Sequence, residues 1–96
     1  MRGGYVYIMT NKPFGTLYIG VTADLSARVH QHRSREGSAF CKRYNLTKLV
    51  WAEELPTIEE AIAREKAMKE WPRKWKLATI HAMNPNWDDL YLTFNH

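Results

Sequence analysis

Two short runs near the N-terminus carry the strongest patterning in the chain. Tyr5-Val6-Tyr7-Ile8-Met9 is β-branched and aromatic, and so is Thr16-Leu17-Tyr18-Ile19-Gly20-Val21-Thr22. Between them lies the breaker cluster Asn11-Lys12-Pro13-Phe14-Gly15, so the pair predicts a β-hairpin with a longer loop. Asp24 suits an N-cap for a helix from Leu25 to about Arg33. The polar, basic stretch Ser34 to Asn45 reads as a loop with one short turn of helix at most. Lys48 to Glu53 reads as a third strand, closed by Pro56-Thr57. Thr57 and Glu60 make a capping box that opens a helix to about Glu70. Pro72, tolerated in a first turn, starts another helix through Trp75, Leu77 and Ile80 to about His81. Asn84-Pro85-Asn86 stops it, and the tail Trp87 to Phe94 is expected to pack back on the body. The order β-β-α-β-α-α is that of an α+β domain on a small antiparallel sheet. With no repeat, linker or low-complexity tract, residues 1–96 read as one domain.

Alternation divides the hairpin. Val6 and Ile8, with Leu17, Ile19 and Val21, make a face fit for a core. The opposite face gathers Tyr5, Tyr7 and Tyr18 around Gly20, where a glycine leaves room for something to approach the backbone. The first helix puts Arg28 and His32 on one face with Leu25 and Val29, one turn apart and able to converge on one ligand. His30 lies round the helix and is expected in solvent. In the helix from Ile58 the apolar stripe is Ile58, Ala61, Ile62 and Met68, with Glu65 near its middle. A carboxylate on a face meant for burial is costly unless it is paired or binds a metal. Glu59, Glu60 and Glu70 fall on the outer surface.

One Glu, one Arg, one His and two or three tyrosines thus stand where a plain folding argument expects Leu or Val. Phosphodiester cleavage uses these groups. A hard cation held by a carboxylate polarises the phosphate and stabilises the leaving oxygen. A guanidinium binds the non-bridging oxygens and offsets transition-state charge. A phenol or imidazole takes a proton from the attacking water.

Composition narrows the setting. The chain has 45% hydrophobic and 12% aromatic residues, enough for a core, which argues against disorder. Fourteen Lys and Arg against ten Asp and Glu leave a net charge of +4, which suits an anionic partner such as nucleic acid. Cys41 is the only cysteine, so a disulfide framework or cysteine zinc site within the chain is excluded, in keeping with a reducing cytoplasm. Met1-Arg2-Gly3-Gly4 leads directly into strand-like residues, and no window approaches the ~18 apolar residues of a membrane span. These features point to a cytoplasmic protein with no membrane segment.

The spacing of these residues resembles the GIY-YIG nuclease family. Tyr5-Val6-Tyr7 followed by Tyr18-Ile19-Gly20 looks like the two signature tripeptides, with Arg28, His32 and a lone helical Glu65 following in order. The length and the Ala-x-x-x-Glu-Lys-x-x-Lys run from Ala61 to Lys69 resemble the small stand-alone bacterial branch, itself similar to the catalytic domain of the excision-repair nuclease subunit. The resemblance covers essentially the whole chain. It implies three antiparallel strands flanked by helices and single-metal hydrolysis of DNA phosphodiesters, with a setting in repair or recombination. Glu65 would hold Mg²⁺ or Mn²⁺, Arg28 would bind the scissile phosphate, and Tyr18 would position or deprotonate the water with Tyr7 assisting. His32 stands where the family has His or Tyr, and Asn84 is the candidate for a late Asn. Two departures are visible. The family's Gly-Ile-Tyr stands here as Tyr5-Val6-Tyr7, with the final tyrosine kept, and Val21 stands where some relatives carry a Lys.

Other readings stay open. Glu65 can be an ion-pair partner of Lys69, the tyrosines cross-strand packing, Arg28 a snorkelling surface residue and His32 a satisfied interior histidine. The four tryptophans are expected in the core rather than as base-stacking platforms. At the level of function, a metal-dependent endonuclease competes with an inactive nucleic-acid-binding module of the same fold. A protein-interaction domain using the aromatic C-terminal region is the third possibility. Branched, single-stranded or damaged DNA is the expected substrate, selected through DNA shape, a protein partner or a homodimer.

Overall fold

The two apolar runs pair as their pattern requires. In the computed structural model, which describes residues 3–94, β1 (Gly4–Thr10) and β2 (Leu17–Thr22) form an antiparallel hairpin with Tyr7 opposite Gly20. Met1, Arg2 and His96 lie outside the described residues. The hairpin loop is closed from within: buried Thr10 donates its hydroxyl to the carbonyls of Lys12 (3.0 Å) and Thr16 (2.8 Å). β3 (Lys48–Leu55) pairs antiparallel with the other side of β1, giving the order β2-β1-β3. The α+β fold with a three-stranded antiparallel sheet is therefore as expected, and β3 runs two residues past the expected Glu53.

The helices begin where the caps lie. The Asp24 carboxylate accepts from Ala27 N at 3.2 Å to open α1 (Leu25–Arg33), and the Thr57 hydroxyl accepts from Glu60 N at 3.1 Å to open α3 (Ile58–Lys69). α4 (Arg73–Met83) follows Pro72 and extends two residues beyond the expected end. The basic stretch, read as a loop with one short turn of helix, carries α2 (Ala39–Tyr44), and the tail closes with α5 (Tyr91–Phe94), which was not expected. Ser38 caps α2 by accepting from Phe40 N, and Asn45 ends it in the left-handed conformation at φ 58°. Both signals were present in the sequence, masked by the surrounding run of polar and basic residues.

The sheet is buried on both faces, which changes the meaning of the tyrosine side. Val6, Ile8 and Ile19 pack with Ala61, Met68 and Ile80 under α3 and α4. Tyr7 and Met9 pack with Leu25, Val29, Cys41, Leu46 and Leu49 under α1 and α2. The tyrosine face is thus a second core, with each fully buried aliphatic side chain worth about 1.5–3 kcal/mol. Gly4 allows the close approach of α3, since a Cβ there would lie 2.8 Å from the Ala61 Cβ. Ile62, assigned above to the buried stripe, is 38% exposed, so the stripe is Ile58, Ala61 and Met68. Trp75 likewise stays outside the core, while Trp51 and Trp87 are buried.

A register shift between Ile8 and Met9 places Val50 as an extra residue in β3. The bulge turns Val50 and Trp51 to the α3 side together while Leu49 and Ala52 face the other core. The carbonyl of Val50 accepts from Asn84 Nδ2 at 3.1 Å. The tail then covers part of the β3 edge, with Leu90 N donating to Leu49 O at 2.7 Å and Leu49 N donating to Asp89 Oδ1 at 3.2 Å. Asp89 also pairs with Arg33, whose guanidinium lies 4.7 Å from the centre of the Tyr91 ring.

Candidate active site

β1 and β2 present Tyr7 and Tyr18 to α1, and α1 answers with Arg28 and His32. The Tyr7 hydroxyl and His32 Nε2 share a buried hydrogen bond of 2.9 Å. The three rings form a triangle, with centroids 6.3 Å apart for Tyr7–Tyr18, 5.7 Å for Tyr7–His32 and 5.5 Å for Tyr18–His32. Arg28 lies within hydrogen-bonding reach of both phenols, and its Nη1 donates to Gln31 Oε1 at 2.9 Å. Four of the residues singled out from sequence are thereby brought together.

Two glycines make that packing possible. A Cβ at Gly20 would lie 2.5 Å from the Tyr7 Cζ and hydroxyl, so the space at this glycine is filled by the Tyr7 ring. It is not an open approach for a ligand, as the strand pattern alone suggested. A Cβ at Gly37 would lie 2.6 Å from His32 Nδ1. Gly37 therefore walls the back of the imidazole. Neither Gly37 nor Gln31 stood out in the sequence, because each acts only through its contact with His32 or Arg28.

Burial sets the electrostatics. Desolvation raises the Tyr7 phenol well above its ordinary value, with Arg28 opposing the shift. Burial and then the Arg28 charge lower His32 to about 4, so the imidazole is neutral near pH 7. Burial works against the Arg28 charge, but the neighbouring phenols outweigh it and hold the guanidinium firmly protonated. A neutral His32 has two ways to meet Tyr7. If the phenol donates to Nε2, Nδ1 carries a hydrogen that is buried without a partner. If Nε2–H donates to the phenol oxygen, Nδ1 is an unshared lone pair and the phenol hydrogen needs another acceptor.

Exposure separates the tyrosines. Tyr7 is fully buried and anchors the cluster, whereas Tyr18 is half-buried and reaches the surface. Phe40 of α2 lies beyond it, its ring 6.1 Å from that of Tyr18. Val21 packs with the opposite core, so its position contributes packing here.

Glu65 is carried on the other side of the sheet. α3 packs on β1 and β2, and Glu65 sits between the buried Ala61 and Met68 on that helix, 14% exposed at its side chain. Its carboxylate pairs with Lys69 Nζ at 3.2 Å. Glu65 on α3 and the Tyr18–Arg28 pair are thus carried on opposite faces of the sheet, of which β2 is an edge strand. Among the described residues no three His, Cys, Asp or Glu side chains gather into a metal-binding group. A lone carboxylate suits a hard ion that keeps most of its water shell, as Mg²⁺ and Mn²⁺ do, and does not suit a closed zinc site.

Asn84 stands apart. Its Nδ2 donates to the carbonyls of Val50 and Asp88, and its Oδ1 accepts from Asp88 N at 3.0 Å. This buried amide is committed to the bulge and the tail, on the α4 side of the sheet. The structure does not bring it to the tyrosine cluster.

Comparison with known proteins gives the family. The UPF0213 protein SSP2268 of Staphylococcus saprophyticus is 34% identical over 76 residues, covering 79% of this chain and 92% of its own. A UPF0213 protein of Staphylococcus aureus strain Mu3 is 35% identical over 80 residues, 83% of this chain and 96% of its own. No solved structure matches significantly. The model of the GIY-YIG catalytic domain matches residues 3–78, which include Tyr7, Tyr18, Arg28, His32 and Glu65. The chain therefore belongs to the GIY-YIG family, a family of nucleases acting on DNA.

Proposed function

We propose that the protein is a Mg²⁺- or Mn²⁺-dependent endonuclease that hydrolyses DNA phosphodiester bonds in repair or recombination. The observation that carries this reading is the closed cluster of Tyr7, His32, Arg28 and Tyr18 on the α1 side of the sheet, with the Glu65 carboxylate on α3 on the other side. Arg28 binds the non-bridging oxygens of the scissile phosphate and offsets the charge that builds there. Tyr18, the tyrosine that reaches the surface, orients the attacking water by accepting a hydrogen bond from it at the phenol oxygen. Tyr7 is a positioning residue, its oxygen holding His32 and Arg28 in place. Glu65 would hold the cation, which when bound supplies Lewis-acid polarisation of the phosphate and stabilisation of the leaving oxygen. The whole chain is read as one catalytic domain. No helix among the described residues is long and apolar enough to cross a membrane, and the buried free thiol of Cys41 suits a reducing cytoplasm.

A second reading has its own observation. Lys69 pairs with Glu65, and a carboxylate so engaged fits a DNA-binding module without turnover. A cleavage assay on branched and single-stranded DNA separates the two. As a nuclease, the protein nicks in Mg²⁺ or Mn²⁺, while Glu65→Ala and Arg28→Ala lose at least ~100-fold in rate, the scale of one transition-state contact. As a binder, the parent leaves the DNA intact in either metal and Glu65→Ala retains full affinity.

A further inference from the structure

Aromatic surface continues outward from the site. Phe40 lies next to Tyr18 with the rings inclined at 31°, and Tyr44, one helical turn on, lies 4.8 Å from Phe40 between centroids. Both rings are open to solvent, Phe40 at 43% and Tyr44 at 41%. α2 does not need them for its anchorage, because Cys41 and the following Leu46 are buried in the core. Adjacent exposed aromatics of this kind mark a place where something binds.

The surroundings indicate what binds. Arg43 lies over the Tyr44 ring at 5.5 Å, and Arg35 reaches the same helix, donating to the carbonyl of Lys42 at 3.4 Å. From Gly37 through Ala52 the chain contains no Asp or Glu. Exposed rings on a basic segment are the arrangement that stacks nucleobases while following a phosphate backbone. In a duplex each base is already stacked and paired, so such rings are of use only to a base that has left the helix.

We propose that Phe40 and Tyr44 form a stacking platform for an unpaired base beside the phosphate held by Arg28. The platform selects a single-stranded segment, whether a free strand or the unpaired flank of a branch. This rests on the DNA-cleaving reading of the neighbouring cluster and adds to it the state of the DNA at the cut.

The test is binding in EDTA at low salt, where no cleavage occurs. A fluorescent single-stranded oligonucleotide carrying 2-aminopurine and a blunt duplex of the same sequence are titrated with the protein. The expected result is tighter binding of the single strand and quenching of 2-aminopurine as it stacks. Phe40→Ala and Tyr44→Ala should each weaken single-strand binding on the order of tenfold, leaving duplex affinity within about twofold. Phe40→Trp should restore the preference, and thermal melting checks that each variant is folded. If the alanine variants bind the single strand as the parent does, or weaken both DNAs alike, the platform is wrong while the DNA-cleaving reading stands. If the parent binds neither DNA, both fall.

Discussion

The Tyr7–His32 hydrogen bond is the residue-scale hinge of the site, because both partners are buried. Tyr7→Phe leaves His32 Nε2 without a partner, in addition to the unpaired Nδ1. The expected cost is about 1–3 kcal/mol in urea unfolding. A change under a few tenths of a kcal/mol would mean that the bond is not formed. The histidine also makes stability depend on pH. Its folded value is about 4 against an ordinary 6.5, lowered by burial and then by Arg28. Below pH ~6.5 the unfolded chain takes up a proton that the folded protein refuses until pH ~4. Stability from this group is therefore present above pH 6.5 and is lost as pH falls through that window, by about 3 kcal/mol at most. Urea midpoints at pH 7 and pH 4.5 should show a steeper loss for the parent than for His32→Gln, and parallel losses would contradict it.

At the scale of elements, the hairpin and α1 are fitted to each other through a single missing Cβ. Gly20→Ala drives a methyl into the Tyr7 ring from 2.5 Å, with the backbone of β1 opposite and no room to retreat. A loss of about 1–3 kcal/mol is expected, with the near-ultraviolet tyrosine signal changed; an unaltered melting temperature would refute the contact. The tail is fixed just as specifically. Asp89→Ala removes the partner of Arg33 and two backbone acceptor contacts, to Leu49 N and Tyr91 N. Faster amide exchange at Leu49 and Leu90 is the expected result. Much of this scale was legible in the sequence, since alternation sorted the hairpin faces and Asp24 and Thr57 announced their helices. What was not legible depended on pairing. The bulge at Val50, the commitment of Asn84 to its carbonyl, and the second core over the tyrosines all require knowing which strand lies beside which. α2 was hidden for a different reason, because its cap and stop were outweighed by basic composition.

For the whole molecule, the account joins two faces of one sheet into one site. Sequence placed Tyr7, Tyr18, Arg28, His32 and Glu65 by their misfit with core positions. It could not say that the first four meet on the α1 side while Glu65 rides α3 on the other. On the proposed reading, a phosphodiester bound at the β2 edge would be reached from both faces. Net charge of +4 supports the approach of DNA to that edge, and affinity should fall steeply as salt rises. The most direct measurement is a Mn²⁺ titration followed by paramagnetic broadening of backbone amide signals. The account predicts broadening centred on Glu65 that extends across Tyr18, Ile19 and Gly20 and disappears in Glu65→Gln. No broadening at millimolar Mn²⁺, or broadening centred away from the β2 edge, would contradict it.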